Sequence, residues 1–438
     1  MLFKNIKIIN EDFKAESNMY LRTDGEFITY VGRDMPEEID GEEVYDGKNK
    51  VISPAFYNTH CHVPMTLLRG YGEGLDLHRW LNEKIFPFEA KLTDRDIFYS
   101  TKLGAMELIA SGCASISDMY FSIGHMAESL DECGMKANIC HGISSFDDDP
   151  KLKELKGYKD TIALDELIRS GKYGSKERYE SRIIADMGLH AEYTSNEKLV
   201  RQVAESAKDE GLTVHVHISE TVKEHEECKA RHEGRTPVKY FSDCGLFDGR
   251  LQAAHCVCIE DGDIDIMKNA GAFVIHNPSS NLKLGSGIAP VTKFLDLGMN
   301  VGLGTDGASS NNNLNMMEEI HMAAMISRGS TLLANAISSS DILKMASLDG
   351  ARSQGRMNCG VIKEGSRADL IVFDLDAPHL QPDFDTVSNI VFSAQSSDIV
   401  LNMIDGRVVY KNGEYMMIDR EKVIFEANKS FERILGEL

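Results

Sequence analysis

Both ends of the chain alternate apolar and polar residues with the two-residue period of strands. Met19-Tyr20-Leu21-Arg22 and Phe27-Ile28-Thr29-Tyr30-Val31 flank Asp24-Gly25, which predicts a hairpin. Near the far end, 368–373 reads as a strand, and 399–404 and 407–410 flank a turn at Asp405-Gly406. The final segment carries Val423, Ala427, Phe431 and Ile434 at helical spacing. Two β-rich ends around a different middle predict one small sheet domain built from both termini.

The middle alternates strand-like with helix-like pieces. Short apolar runs fall at 51–59, 114–121, 136–143, 182–190, 212–219, 251–258, 272–277 and 299–306, with helical patterns between most of them. One helix is predicted to start at Thr93, with Asp96 at capping-box spacing and Ile97, Thr101, Leu103, Met106 and Ile109 behind it. Eight strand candidates with intervening helices suit an α/β fold of the (β/α)8 TIM-barrel kind; the pattern also leaves a doubly wound sheet open. The expected boundaries are 1–53 and 363–415 for the two parts of a β-sandwich, 54–362 for the barrel, and 416–438 for a C-terminal helix.

Composition adds exclusions. Of 438 residues, 42% are hydrophobic and 26% charged, an ordinary globular balance that rules out collagen-like or wholly disordered chains. The 47 Lys and Arg against 69 Asp and Glu give a net charge of −22. Such a surface repels phosphate backbones, so no nucleic-acid partner is expected. No stretch approaches ~18 uninterrupted apolar residues, so no membrane-spanning helix is expected. The first residues lack a signal-peptide pattern, which makes the cytoplasm the expected location. The nine Cys are odd in number, irregularly spaced and without a CxxC, as reduced thiols would be.

The chemistry concentrates at predicted strand ends. His60 and His62 close the first run, and residues i and i+2 of a strand point the same way, so both can face one metal. Alone, an HxH pair more often means one structural and one exposed histidine. His215 and His217 repeat the spacing, with Glu220 just beyond; His215, deeper in its strand, is expected to be a satisfied core residue. His255, His276 and Asp306 end three further runs. Each by itself could be a cap or a core residue. Taken together, His60, His62, His217, Glu220, His255 and Asp306 lie at the C-terminal ends of different strands, which converge on one mouth in a barrel. That convergence points to a metal site.

The segments Asn58-Thr59-His60-Cys61-His62, His217-Ile218-Ser219-Glu220-Thr221, Ala254-His255-Cys256, His276-Asn277-Pro278-Ser279-Ser280-Asn281 and Gly304-Thr305-Asp306-Gly307-Ala308 resemble the amidohydrolase superfamily. The likeness covers essentially the whole chain. It is to the branch containing 5′-methylthioadenosine/S-adenosylhomocysteine deaminase, with chlorohydrolase-type triazine enzymes as relatives.

The resemblance implies that His60, His62, His217 and Asp306 hold one divalent metal, zinc or else iron. No Lys lies in the fourth strand, Arg182–His190, to bridge a second metal. It implies a hydrolytic deaminase of an adenine nucleoside (adenosine, 5′-methylthioadenosine or S-adenosylhomocysteine), in which Asp306 takes the proton of the attacking water. Glu220 acts as general acid to a ring nitrogen, and His255 polarises the water or the new oxyanion. Substrate contacts are expected from Trp80, Glu89, His141, His190, Glu220 and Ser310, the last of which could instead cap the next helix. A small-molecule substrate and a homo-oligomer follow as partners. Two alternatives stand beside this one: a deaminase or chlorohydrolase of another heterocycle (cytosine, guanine, an s-triazine), and a non-catalytic metal-binding scaffold. The third-strand region reads Asn138-Ile139-Cys140-His141-Gly142, followed by the acidic Asp147-Asp148-Asp149, where relatives carry Arg for an amino-acid tail.

Overall fold

The computed structural model describes residues 1–37, 39–75 and 77–438. Its central part is built from parallel strands: β1 (Phe56–His62), β2 (Cys113–Tyr120), β3 (Lys136–His141), β4 (Ile183–Ala185), β5 (Met187–Leu189), β6 (Val214–Ile218), β7 (Leu251–His255), β8 (Phe273–His276), β9 (Val301–Leu303) and β10 (Asp306–Gly307). They form two sheets of five strands, in the orders β10-β1-β2-β3-β4 and β5-β6-β7-β8-β9. Nearly every residue in these strands is buried, as expected of parallel strands covered on both faces. β4 passes into β5 across Asp186 alone, and β9 into β10 across Gly304-Thr305, so the two sheets meet at both ends. This is a TIM-barrel-like α/β organisation.

Side chains of β1 reinforce the second join. Thr59 Oγ1 donates to Leu303 O at 2.8 Å, and Asn58 Nδ2 donates to Thr305 Oγ1 at 2.7 Å. Gly304 is required there: a Cβ would come within 2.8 Å of His60 O and 2.4 Å of Asn277 Oδ1. The helix predicted behind Thr93 runs from Asp94 to Ala110, with its capping box formed by Thr93 and Asp96.

Strands from both ends of the chain pair in a separate nine-stranded sheet. Leu370–Asp374 lies antiparallel to Lys50–Pro54, which in turn runs parallel to Leu2–Ile9. The expected hairpin is present, with Asp24 opposite Phe27. The C-terminal stripe becomes the helix Arg420–Glu437, with Val423, Ala427 and Ile434 buried. All nine Cys are free. Among the described residues, no helix is long and apolar enough to cross a membrane.

A buried ion cluster fastens this sheet to the parallel strands. Lys136, at the start of β3, is 3% exposed, and its Nζ lies 2.6 Å from both Asp369 Oδ2 and Asp405 Oδ1 of the terminal sheet. Tyr57 of β1 donates its hydroxyl to the same Asp369 oxygen. A buried pair adds little over an apolar substitute, but removing one partner strands the others. Lys136→Met is therefore expected to lower stability by ~3–5 kcal/mol, read as a fall in the urea midpoint. A midpoint within error of wild type would mean that the cluster does not hold the two parts together.

Candidate metal centre and active site

Strand register brings the expected histidines together. β1 ends on His60 and His62; β6 carries His215 and His217; β7 ends on His255; β10 starts on Asp306, which pairs with Cys61 between the two β1 histidines. Two overlapping sets, His60–His62–His217 and His60–His255–Asp306, each have their ligand atoms within 4.8 Å of one another. His255 and Asp306 both adopt positive φ, 73° and 60°, a region that L side chains seldom occupy and that often marks functional positions.

The ring hydrogen bonds decide which nitrogens face inward. His62 Nδ1 lies 2.5 Å from Met119 O, and His217 Nδ1 lies 2.6 Å from His190 O. A carbonyl only accepts, so both Nδ1 atoms carry the hydrogen and both Nε2 atoms offer lone pairs. His60 Nδ1 sits 2.9 Å from His215 Nε2, while its own buried Nε2 has no hydrogen-bond partner. His215 is thus the core histidine expected, and it orients the His60 ring rather than joining the set.

The distances fit one cation. Two nitrogens about 2.0–2.1 Å from a tetrahedral ion lie roughly 3.3–3.4 Å apart. Nε2 of His62 and Nε2 of His217 are 3.4 Å apart, and Asp306 Oδ1 lies 3.4 Å from His60 Nε2 and 3.2 Å from His62 Nε2. Burial pushes His60 down to about 3 and His217 well below the usual imidazole range, so both rings stay neutral. For His62, burial is the largest single effect and works in the same direction, but the hydrogen bond and charge of Asp306, the charge of Asp118 and the Met119 carbonyl together outweigh it and carry the pKa up to about 9. A divalent metal is what this donor set is built for.

Asp306 is held at both oxygens. Its Oδ1 faces the imidazoles, and its Oδ2 accepts from Ser280 Oγ at 2.6 Å and Ser310 Oγ at 2.8 Å. Burial opposes its charge, but the His60 and His62 rings hold the carboxyl well below the usual carboxylate range. Glu220 contrasts with it: burial raises its pKa, and its contacts are Ser286 Oγ at 3.2 Å and His255 Nε2 at 4.0 Å. The opposite edge of the His255 ring, Nδ1, is flanked by Asn281 Oδ1 at 2.9 Å and Asn277 Nδ2 at 3.3 Å.

His62, His217, Glu220, His255 and Asp306 line one cavity of about 400 Å³ together with Trp80, Glu89, His141, His190 and Ser310. The residues expected to contact a substrate are thus gathered on one cavity wall. Ser310 Oγ lies within donor reach of Asp306 Oδ2 at 2.8 Å and of Gly307 O at 3.1 Å. Glu89, pushed up to about 7 by burial, accepts from Tyr120 OH at 2.5 Å. His190 contacts Thr194 Oγ1 at 3.0 Å, and its pKa is lowered to about 4 by burial.

Sequence reasoning missed Ser280, Asn281 and Glu224. Glu224, buried on the helix Val222–Arg231, accepts from the backbone N–H of Ser219 at 3.0 Å and of Glu220 at 2.7 Å. Ser219 has φ 50°, so this carboxylate pins the left-handed turn that presents Glu220. Thr221 and Glu224 stand at capping-box spacing, which was the available signal.

The amidohydrolase family model matches residues 51–409. The chain belongs to the amidohydrolase family. This amidohydrolase is 38% identical to the 5-methylthioadenosine/S-adenosylhomocysteine deaminase of Acetivibrio thermocellus, over 99% of each chain. It is 36% identical to the 5′-deoxyadenosine deaminase of Methanosarcina mazei, over 100% of this chain and 99% of the relative. Among solved structures it is similar to an adenosine deaminase from Xanthomonas campestris with bound zinc, at TM-score 0.90 and 26% identity, over 99% of this chain and 98% of that one.

Purified amidohydrolase should carry about one equivalent of divalent metal per chain by elemental analysis, because donor atoms of His60, His62, His217 and Asp306 converge on one point. His60→Ala or His217→Ala should lose it. Retention of a full equivalent by both variants would place the metal elsewhere.

Proposed function

We propose that the protein is a hydrolytic deaminase of adenine nucleosides. Water replaces the exocyclic amine of the adenine ring, giving the inosine analogue and ammonia. The observation that carries the reading is Glu220: a buried carboxylic acid with a raised pKa, on the cavity wall beside a set of metal-ligating side chains. Full-length similarity to deaminases of adenosine derivatives supports the same chemistry.

In this reading His60, His62, His217 and Asp306 hold one zinc, with iron as the alternative. When bound, the metal lowers the pKa of a water from 15.7 toward ~7 and makes it a nucleophile at neutral pH. Asp306, ionised and fixed by Ser280 and Ser310, accepts the proton of that water. Glu220, whose pKa burial raises, donates to the ring nitrogen next to the attacked carbon as the ring loses aromaticity. His255, its ring clamped by Asn281 and Asn277, steadies the negative oxygen that forms. Trp80, Glu89, His141 and His190 surround the nucleoside, with Glu89 free to accept sugar hydroxyls through the oxygen that Tyr120 leaves open.

The architecture that goes with this reading is a closed (β/α)8 barrel over 54–362, flanked by a β-sandwich from 1–53 and 363–415 and followed by a helix over 416–438. Phe3, Ile8, Leu21, Ile28, Leu370 and Leu401 sharing one apolar cluster supports the sandwich. A homo-oligomer in the cytoplasm completes it.

The test is ammonia release from adenosine, 5′-methylthioadenosine and 5′-deoxyadenosine, beside cytosine, guanine and an s-triazine. Turnover confined to the last three would overturn the nucleoside reading. Glu220→Gln keeps the shape but cannot donate a proton of the right acidity. Its kcat should fall by ~10²-fold or more with the metal retained, and near-wild-type turnover would remove Glu220 from the role of acid. Glu224→Gln replaces one of two acceptors under the Glu220 turn. It should lower kcat by about tenfold, ~1.4 kcal/mol in the barrier, with little change in KM.

A further inference from the structure

The cavity differs sharply between its inner and outer parts. The inner end is polar, carrying the histidines with Glu220 and Asp306. The remaining wall is mostly apolar, with Ile85, Phe86, Phe121, Phe146 and Leu284 among its residues. Phe146, on the loop after β3, is 84% exposed, which puts it at the mouth. Among the described residues lining the cavity there is no Lys and no Arg, whereas three carboxylates, those of Glu89, Glu220 and Asp306, face it.

The nearby cations are committed outside the cavity. Lys151 pairs with Glu154 at 3.7 Å and Lys156 with Asp160 at 3.7 Å, both from well-exposed positions. Lys198 pairs with Asp149 at 2.9 Å. His141 does reach the cavity, but its Nδ1 lies 3.3 Å from Asp160 Oδ2, so any charge it gained would already be balanced. Burial lowers its pKa as well, which leaves the ring neutral at pH 7.

A nucleoside whose base lies against the metal-ligating end must direct its 5′ substituent toward the outer wall. A phosphate or an amino-acid carboxylate arriving there would lose water and find no Lys or Arg among the described residues of the wall. A methyl or methylthio group would lose only unfavourable hydration and pack on aromatic and aliphatic side chains. We propose that the 5′ substituent this cavity selects is uncharged and apolar, of the 5′-deoxy or 5′-methylthio class, and that 5′-phosphates and S-adenosylhomocysteine are poor substrates. The inference rests on the nucleoside-deaminase reading.

The experiment compares kcat/KM for 5′-methylthioadenosine, 5′-deoxyadenosine, S-adenosylhomocysteine and adenosine 5′-monophosphate on one holoenzyme preparation at one ionic strength. The first two should exceed the last two by about tenfold or more. S-adenosylhomocysteine or the monophosphate turned over as well as the apolar pair would overturn the inference and leave adenine-nucleoside deamination standing. Failure of all four, with a free base or a triazine turned over, would overturn the nucleoside reading and this inference with it. Phe146→Arg supplies a cation at the exposed mouth, where the fold is not at risk. It should narrow the preference for 5′-methylthioadenosine over S-adenosylhomocysteine several-fold, because Arg pairs carboxylates in a bidentate way. An unchanged ratio would overturn the assignment of the tail to this wall.

Discussion

Lone pairs aimed at one point are the constraint around which the strand ends are organised. Nitrogens of His62 and His217 and an oxygen of Asp306 stand 3.2–3.4 Å from a neighbour in the set, close enough to repel unless a positive charge sits among them. That geometry survives because each ring is held from its far edge. Met119 O and His190 O fix His62 and His217, and His215 fixes His60. These anchors belong to different strands or strand ends, so the rings point correctly only if the parallel register is kept. Register, and not the histidines alone, therefore specifies the site.

The same demand explains the unusual backbone. For Asp306 to face His60 and His62, the last strand must press against β1, and Gly304 allows it because any side chain there would overlap His60 and Asn277. The chain then turns through positive φ at Asp306, as it does at His255 and at Ser219 before Glu220. Such conformations cost about 1–3 kcal/mol each for residues other than glycine. Around Asp306 and Ser219 they persist because Ser280 and Ser310 donate to Asp306 and Glu224 accepts from the N–H groups of Ser219 and Glu220, and a bound cation would deepen the minimum further.

The residues that create chemistry were legible in the sequence, and those that aim them mostly were not. An HxH at a strand end, a Glu three residues past a strand histidine and an Asp after a Gly-rich strand are local patterns that carry their own direction. Strand positions followed from short apolar runs for the same reason. Ser280 and Ser310 are different: each reaches Asp306 by loop geometry that no periodicity encodes. Asn281 meets His255 across 26 residues of chain. Lys136 is a further case, since a lysine in an apolar run looks like a strand edge until Asp369 and Asp405 arrive from the other end of the chain.

Two carboxyl groups on one cavity wall have been driven apart in acidity by their surroundings. Both are buried, and burial alone would raise both. Asp306 escapes because imidazoles flank one oxygen and two hydroxyls donate to the other, so its charged form is solvated by the protein. Glu220 has one hydroxyl and a histidine at 4.0 Å, too little to repay desolvation, and its pKa is raised. Exchanging the two side chains would not exchange the roles, because the acidity resides in the partners. A carboxyl group held toward its ionised form and another pushed toward its protonated form, within a single cavity, are the pairing that the proposed water-for-amine exchange would use.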